Sequence, residues 1–93
     1  MSAHACPLFA LGQIVATPNA LAQLTQDDIR RGLQRHATGD WGDVDKDDRQ
    51  ENELSLQKGF RLLSVYHATN STKFWIITEA NRASTCILLP EDY

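Results

Sequence analysis

The last third of the chain constrains the fold most. Gly59-Phe60-Arg61-Leu62-Leu63-Ser64-Val65-Tyr66, Lys73-Phe74-Trp75-Ile76-Ile77-Thr78-Glu79 and Ser84-Thr85-Cys86-Ile87-Leu88-Leu89-Pro90 are each rich in branched and aromatic residues. That composition favours a pleated, half-buried surface. The gaps, Thr69-Asn70-Ser71-Thr72 and Ala80-Asn81-Arg82-Ala83, have the length and polarity of hairpin turns. The pattern predicts a three-stranded antiparallel meander. Alternation puts Leu62, Ser64, Tyr66, Phe74, Ile76, Thr78, Thr85, Ile87 and Leu89 on one face. The other face, with Arg61, Leu63, Val65, Lys73, Trp75, Ile77, Cys86 and Leu88, is half apolar and has room for a ligand or a partner.

The first sixty residues read as one short strand and two or three helices. Gln13-Ile14-Val15-Ala16 is a brief apolar run between glycine and Thr17-Pro18. Threonine as N-cap with proline at the first helical position then starts a helix over 18–24. Thr25 caps a second helix with Asp27 and Asp28 in its positive first turn; Ile29, Leu33 and His36 or Ala37 form its apolar stripe, and Thr38-Gly39 ends it. A third helix is expected from Asp47 or Asp48 to Lys58, with Leu54 as its apolar anchor and Gly59 as its stop. The expected class is therefore α+β, with the helices packed against the meander. Its core should contain Ile29, Leu33, Leu54, Leu62, Ile76 and Ile87.

At 93 residues the chain makes a single domain, with residues 1–8 expected to be a flexible N-terminus. The first residues lack a basic segment followed by a long apolar run, and no stretch reaches the roughly 18 apolar residues of a membrane span. The expected location is the cytoplasm, without membrane contact. Cys6 and Cys86 form no metal or redox spacing, in keeping with a reducing compartment. Asn70-Ser71-Thr72 matches a glycosylation sequon but reads as a turn.

Charge is unevenly placed. Residues 40–53 carry seven acidic groups against Lys46 and Arg49, a net of −5, while the rest of the chain carries +2. Overall acidity argues against duplex DNA, whose binding is driven by neutralising phosphates. Arg30, Arg31 and Arg35 nevertheless offer a local positive face.

No motif carries a chemical signature. Asp43-x-Asp45-x-Asp47 resembles the opening of a calcium loop, but Asp48 stands where glycine is required and Leu54 where the bidentate glutamate belongs. His4-x-Cys6 is at most half a metal site, and no metal or cofactor is expected. His36, Asn52, Glu53, Arg61, Tyr66, His67 and Thr85 are the dispersed polar candidates. Of these, His36, Glu53, Arg61 and Tyr66 would suffice for acid–base cleavage of RNA if they met at one point. As a binding surface, Trp41, Tyr66 and Trp75 with Arg61 could stack or grip a macromolecule.

Several blocks carry a family resemblance: Gly12-Gln13-Ile14-Val15-Ala16-Thr17-Pro18, His36-Ala37-Thr38-Gly39-Asp40-Trp41-Gly42-Asp43, Glu51-Asn52-Glu53-Leu54-Ser55-Leu56, Gly59 to Tyr66, Phe74 to Ala80, and Leu88-Leu89-Pro90-Glu91-Asp92-Tyr93. Through them the chain resembles a family of short bacterial proteins often carried on plasmids and integrated elements, some labelled "plasmid-related protein". The resemblance implies a mobile-element origin and no particular activity. An aspartate stands in that family where this chain has Asn81. In element order and residue types the chain is also similar to barnase-like toxin ribonucleases, a fold-level analogy. The expectation is thus a small non-enzymatic accessory protein that binds a macromolecule, a protein rather than RNA, through its sheet face and the Gly39–Asp48 loop. The alternative is a ribonuclease using His36, Glu53, Arg61 and Tyr66.

Overall fold

A computed structural model describes residues 6–93. The chain runs β1 (Gln13–Ala16), α1 (Pro18–Gln23), α2 (Gln26–Ala37), α3 (Lys46–Lys58), β2 (Leu62–His67), β3 (Lys73–Thr78) and β4 (Ser84–Leu88), ending in a 3-10 turn at Pro90–Asp92. The meander forms as read, with β2–β3 and β3–β4 antiparallel. It is not the whole sheet. β1 joins as a fourth strand, parallel to β4, giving the order β1-β4-β3-β2. The expected three-stranded sheet is corrected to a mixed one of four. Gln13 N–H donates to Ala83 O at 2.9 Å and Thr17 N–H to Ile87 O at 3.0 Å, a pairing of residues some seventy apart that no turn announces.

Helix boundaries follow their caps. The Thr17 hydroxyl accepts from Ala20 N–H, with Pro18 at the first helical position. Thr25 and Asp28 form a reciprocal capping box at α2. Asp28 also accepts from Thr69 N–H at 3.1 Å, tying the start of α2 to the β2–β3 turn. Burial raises the Asp28 pKa, but the bonds from Thr25 and Thr69 outweigh it and hold the carboxyl below the usual range. Asp45 caps α3, which starts at Lys46, one or two residues earlier than the acidic run suggested, and Gly59 ends it in the left-handed conformation.

The helix-covered face of the sheet carries the residues expected of it. Leu62, Ile76 and Ile87 are buried, as are Phe74 and Tyr66; Ile29 and Leu33 of α2, expected to be buried too, are only partly so and pack against the cluster of Tyr66, Phe74, Ile76 and Ile87. Gly32 lets α2 approach closely, since a Cβ there would lie 3.0 Å from Ile76 Cδ1 and 3.1 Å from Phe74. Leu54 is corrected: it is 42% exposed. α3 turns Asn52 and Ser55 inward instead, with Leu56 packed beside Leu63 and Trp75. The helix was read as amphipathic around a leucine, whereas its inner stripe is largely polar and pairs with backbone.

Asn52 shows why. Its Nδ2 donates to Leu63 O at 2.6 Å and its Oδ1 accepts from Leu63 N–H at 3.1 Å, so one side chain mimics a strand neighbour along the outer edge of β2. Beside it, Val65 N–H donates to Trp41 O and Asp43 N–H donates to Val65 O. The 41–43 loop and Asn52 together seal this edge, the usual protection against unwanted strand pairing. Replacing Asn52 with alanine orphans two partly buried backbone groups of Leu63. We expect a loss of about 2–3 kcal/mol in denaturant unfolding, and a loss under ~0.5 kcal/mol would mean that water replaces the amide without penalty.

Candidate functional site

The expected catalytic quartet does not assemble. His36 is fully buried between α2 and the sheet. Its Nδ1 lies 2.6 Å from Ser64 Oγ and its Nε2 2.9 Å from Thr78 Oγ1. Thr78 Oγ1 is 2.7 Å from Thr85 Oγ1, and the Thr85 hydroxyl donates to Leu11 O at 2.7 Å. A carbonyl only accepts, which orients the whole chain. Thr85 spends its proton on Leu11 and so accepts from Thr78; Thr78 then accepts from His36 Nε2–H, and the bare Nδ1 accepts from Ser64. His36 is therefore the neutral Nε2–H tautomer, and burial, with a smaller contribution from Arg82, pushes its pKa down to about 4. This polar thread links α2 through β2, β3 and β4 to the segment before β1. It leaves no nitrogen free for a substrate.

The other three members lie apart. Glu53 accepts from Trp41 Nε1 at 3.0 Å. The Tyr66 hydroxyl donates to Asp40 O at 2.5 Å, and burial raises its pKa. Arg61 precedes β2 and sits 5.5 Å from the Tyr93 ring centroid. Five extended residues put Arg61 about 17 Å from Tyr66, on the opposite side of the strand.

Nor do the expected binding aromatics share a surface. Trp41 is only 3% exposed, stacked beside Phe9 and edge-on to His36. The Gly39–Asp48 loop was expected to present this indole outward; instead Trp41 and Val44 turn into the core, and its backbone serves β2. Tyr66 is buried on the helix-covered face, under the Arg35 guanidinium at 4.5 Å. Trp75 lies on the other face, half-buried and edge-on to Tyr93. Of the expected surface only Trp75 and Arg61 are accessible, joined by Tyr93, which was not anticipated.

The first part of the acidic segment is spent locally, whereas Asp47, Asp48 and Glu51 face solvent. Asp40 pairs with Arg35 at 2.7 Å, Asp43 with His67 at 2.9 Å, and Asp45 caps α3. Its hydrogen bond to Arg35 chiefly holds the Asp40 carboxyl below the usual range. Arg30 pairs with Asp27, so the three arginines of α2 do not form a free positive patch. Cys86 is half-buried, and burial pushes its thiol pKa up, the opposite of a reactive cysteine. Among the described residues no histidine, cysteine and carboxylate group could hold a metal. His4 lies outside the described residues. Of the expected flexible start, residues 1–5 are also outside them, whereas Leu8 N–H donates to Ala37 O at 2.8 Å.

Besides a shallow depression of about 360 Å³ at the β3–β4 turn, lined by Glu79, Ala80, Asn81, Ala83 and Ser84, two concavities flank α2. A cleft of about 330 Å³ lies between α2 and the end of β2, lined by Asp28, Arg31, Arg35, Tyr66 and His67. Its one carboxylate, Asp28, lies 4.0 Å from Arg31, while Arg35 and His67 are taken by Asp40 and Asp43 outside the cleft. An apolar groove of about 390 Å³ runs between β1 and α2, walled by Leu11, Ile14, Ile29, Leu33 and Ala37. Ile14 is 48% exposed there, and Val15 on the other side of the strand is 41% exposed. Sequence reading missed this groove because it depends on β1 lying at the sheet edge. Comparison of the chain with protein-family models, with curated proteins and with solved structures found no match.

Proposed function

We propose that this chain is a small non-enzymatic interaction protein that holds a protein partner on the β1 side of its sheet. The observation that carries this reading is a contrast in how surface groups are used. No buried side-chain nitrogen or oxygen among the described residues lacks a partner, so the polar groups inside the fold are consumed by it. The β1 side, by contrast, leaves apolar surface open at Leu11, Ile14, Val15 and Leu33. A hydrolase keeps convergent, underused polar groups in a cleft; a binding module keeps exposed apolar ones. The accessible Trp75, Tyr93 and Arg61 form a second, smaller aromatic surface on the far face. The role as an accessory product of a bacterial mobile element rests on the sequence blocks of the resemblance, and the cytoplasmic location on the lack of a signal-like or long apolar run and on the unpaired spacing of Cys6 and Cys86. No helix among the described residues is long and apolar enough to cross a membrane.

The test places a photo-crosslinking residue at Val15, at Leu54 or at Tyr93 in the bacterial host. A discrete protein adduct from Val15 and none from Leu54 is the expected result. Purified protein should also leave cellular RNA intact. Cleavage of RNA at stoichiometric protein, lost in Glu53→Gln with the fold preserved, would sink the reading in favour of a ribonuclease.

A further inference from the structure

The two edges of the sheet are treated differently. The β2 edge is closed twice, by Asn52 and by the 41–43 backbone. Among the described residues nothing covers the β1 edge, and Gln13–Ala16, though short, contains no charge, proline or bulge to blunt it. Gln13 and Thr17 donate toward β4. With a strand period of two, the N–H and C=O groups of Ile14 and Ala16 therefore point away from the sheet. Ile14 faces the same side as its neighbour Thr85, beneath the wall of α2. Unpaired strand backbone and an apolar trough thus adjoin.

We propose that an extended strand of a partner protein adds to the β1 edge, bonding to Ile14 and Ala16 and seating alternate aliphatic side chains in the groove against Ile29 and Leu33. This names the ligand for the interaction reading above and rests on it. Strand addition of this kind draws affinity from backbone bonds and selectivity from side-chain pockets. The occupant's inward face is uncharged, because the one cation at the rim, Arg30, is already paired with Asp27. A second copy of this chain fits less well. β1 has four residues, about 13 Å of ladder. Pro18 has no N–H to extend it, and Gly12 turns away in the left-handed region at φ 65°. In a self-pair both edges stop at that length and the copy offers the groove only Ile14 and Ala16, far less than the ~800 Å² per partner of a stable interface, whereas a separate extended segment can continue along the trough beside α2.

The probes are a panel of capped octapeptides with Val, Ile, Leu or Phe at alternate positions and threonine between, and the same peptides N-methylated at every second amide. Nuclear magnetic resonance with amide exchange reads the complex. At least one unmethylated peptide should slow exchange at Ile14 and Ala16 about tenfold or more, and its methylated form should not. Ala16→Pro removes one outward donor and leaves the β4 bonds intact, so it should weaken binding by about tenfold; the methylated peptides make the same cut without touching the protein. No binding by any peptide at about 1 mM overturns the proposal. So does binding that perturbs Trp75 and Tyr93 instead, which would leave the broader interaction reading standing. Concentration-dependent protection of Ile14 without peptide, with a dimer in sedimentation, would make a second copy the occupant and equally overturn it.

Discussion

Acidification from pH 7 to pH 4 is expected to remove roughly 3 kcal/mol of stability through His36 alone. The sign follows from the buried imidazole. Its pKa falls from 6.5 in an open chain to about 4 in the fold, so the unfolded chain binds the proton first. The contribution is complete above pH 6.5, declines by about 1.4 kcal/mol per pH unit below it, and is lost as pH falls through about 4. Asp28 and Asp40, also held below their ordinary values, add losses in the same direction at lower pH. Urea unfolding at pH 7, 5.5 and 4.5 measures the slope. His36→Ala should flatten it, and at pH 7 should itself cost about 3–5 kcal/mol, because Ser64 and Thr78 lose their partner in a closed cavity. Equal stability at pH 7 and pH 4.5 would mean that the ring is solvated or charged.

The second large effect comes from two glycines with nearly the same backbone. Gly42 has φ 74° and Gly59 φ 80°, and both are left-handed. A Cβ on Gly59 meets nothing within 4 Å, so Gly59→Ala should cost only the conformational strain of about 1–2 kcal/mol. A Cβ on Gly42 would lie 2.0 Å from Val65 O and 2.7 Å from Tyr66 Cδ1. The loop must then lift, breaking both Val65 bonds and uncovering Trp41. We expect Gly42→Ala to cost about 3–5 kcal/mol and to raise Trp41 accessibility in fluorescence quenching. Equal losses at the two positions would show that the seal on β2 is not under tension from packing.

The strands and caps were legible in the sequence because their causes are local. Period-two alternation set the faces of β2, β3 and β4, so Leu62, Ile76 and Ile87 lie inward as their spacing requires. Thr17-Pro18, Thr25-x-x-Asp28 and Gly59 marked helix ends because a cap satisfies backbone groups within three or four residues. Leu54 misled for the same reason. Hydrophobic pattern does not register an asparagine whose partner is the backbone of Leu63.

What only the tertiary structure decided is every pairing made across long sequence separations. β1 lies parallel to β4 because burying Ala16 beside Ile87 and threading Thr85 to Leu11 O requires it, and no local residue encodes that choice. The same closure turned His36, Tyr66 and Trp41, which look chemically available as letters, into core members whose polar atoms are already matched. It also created the groove, since Leu11 and Ile14 meet Ile29 and Leu33 only once β1 occupies the edge. Residue type states which bonds a side chain is able to make; burial and geometry determine which of them the fold consumes and which surface is left for a partner.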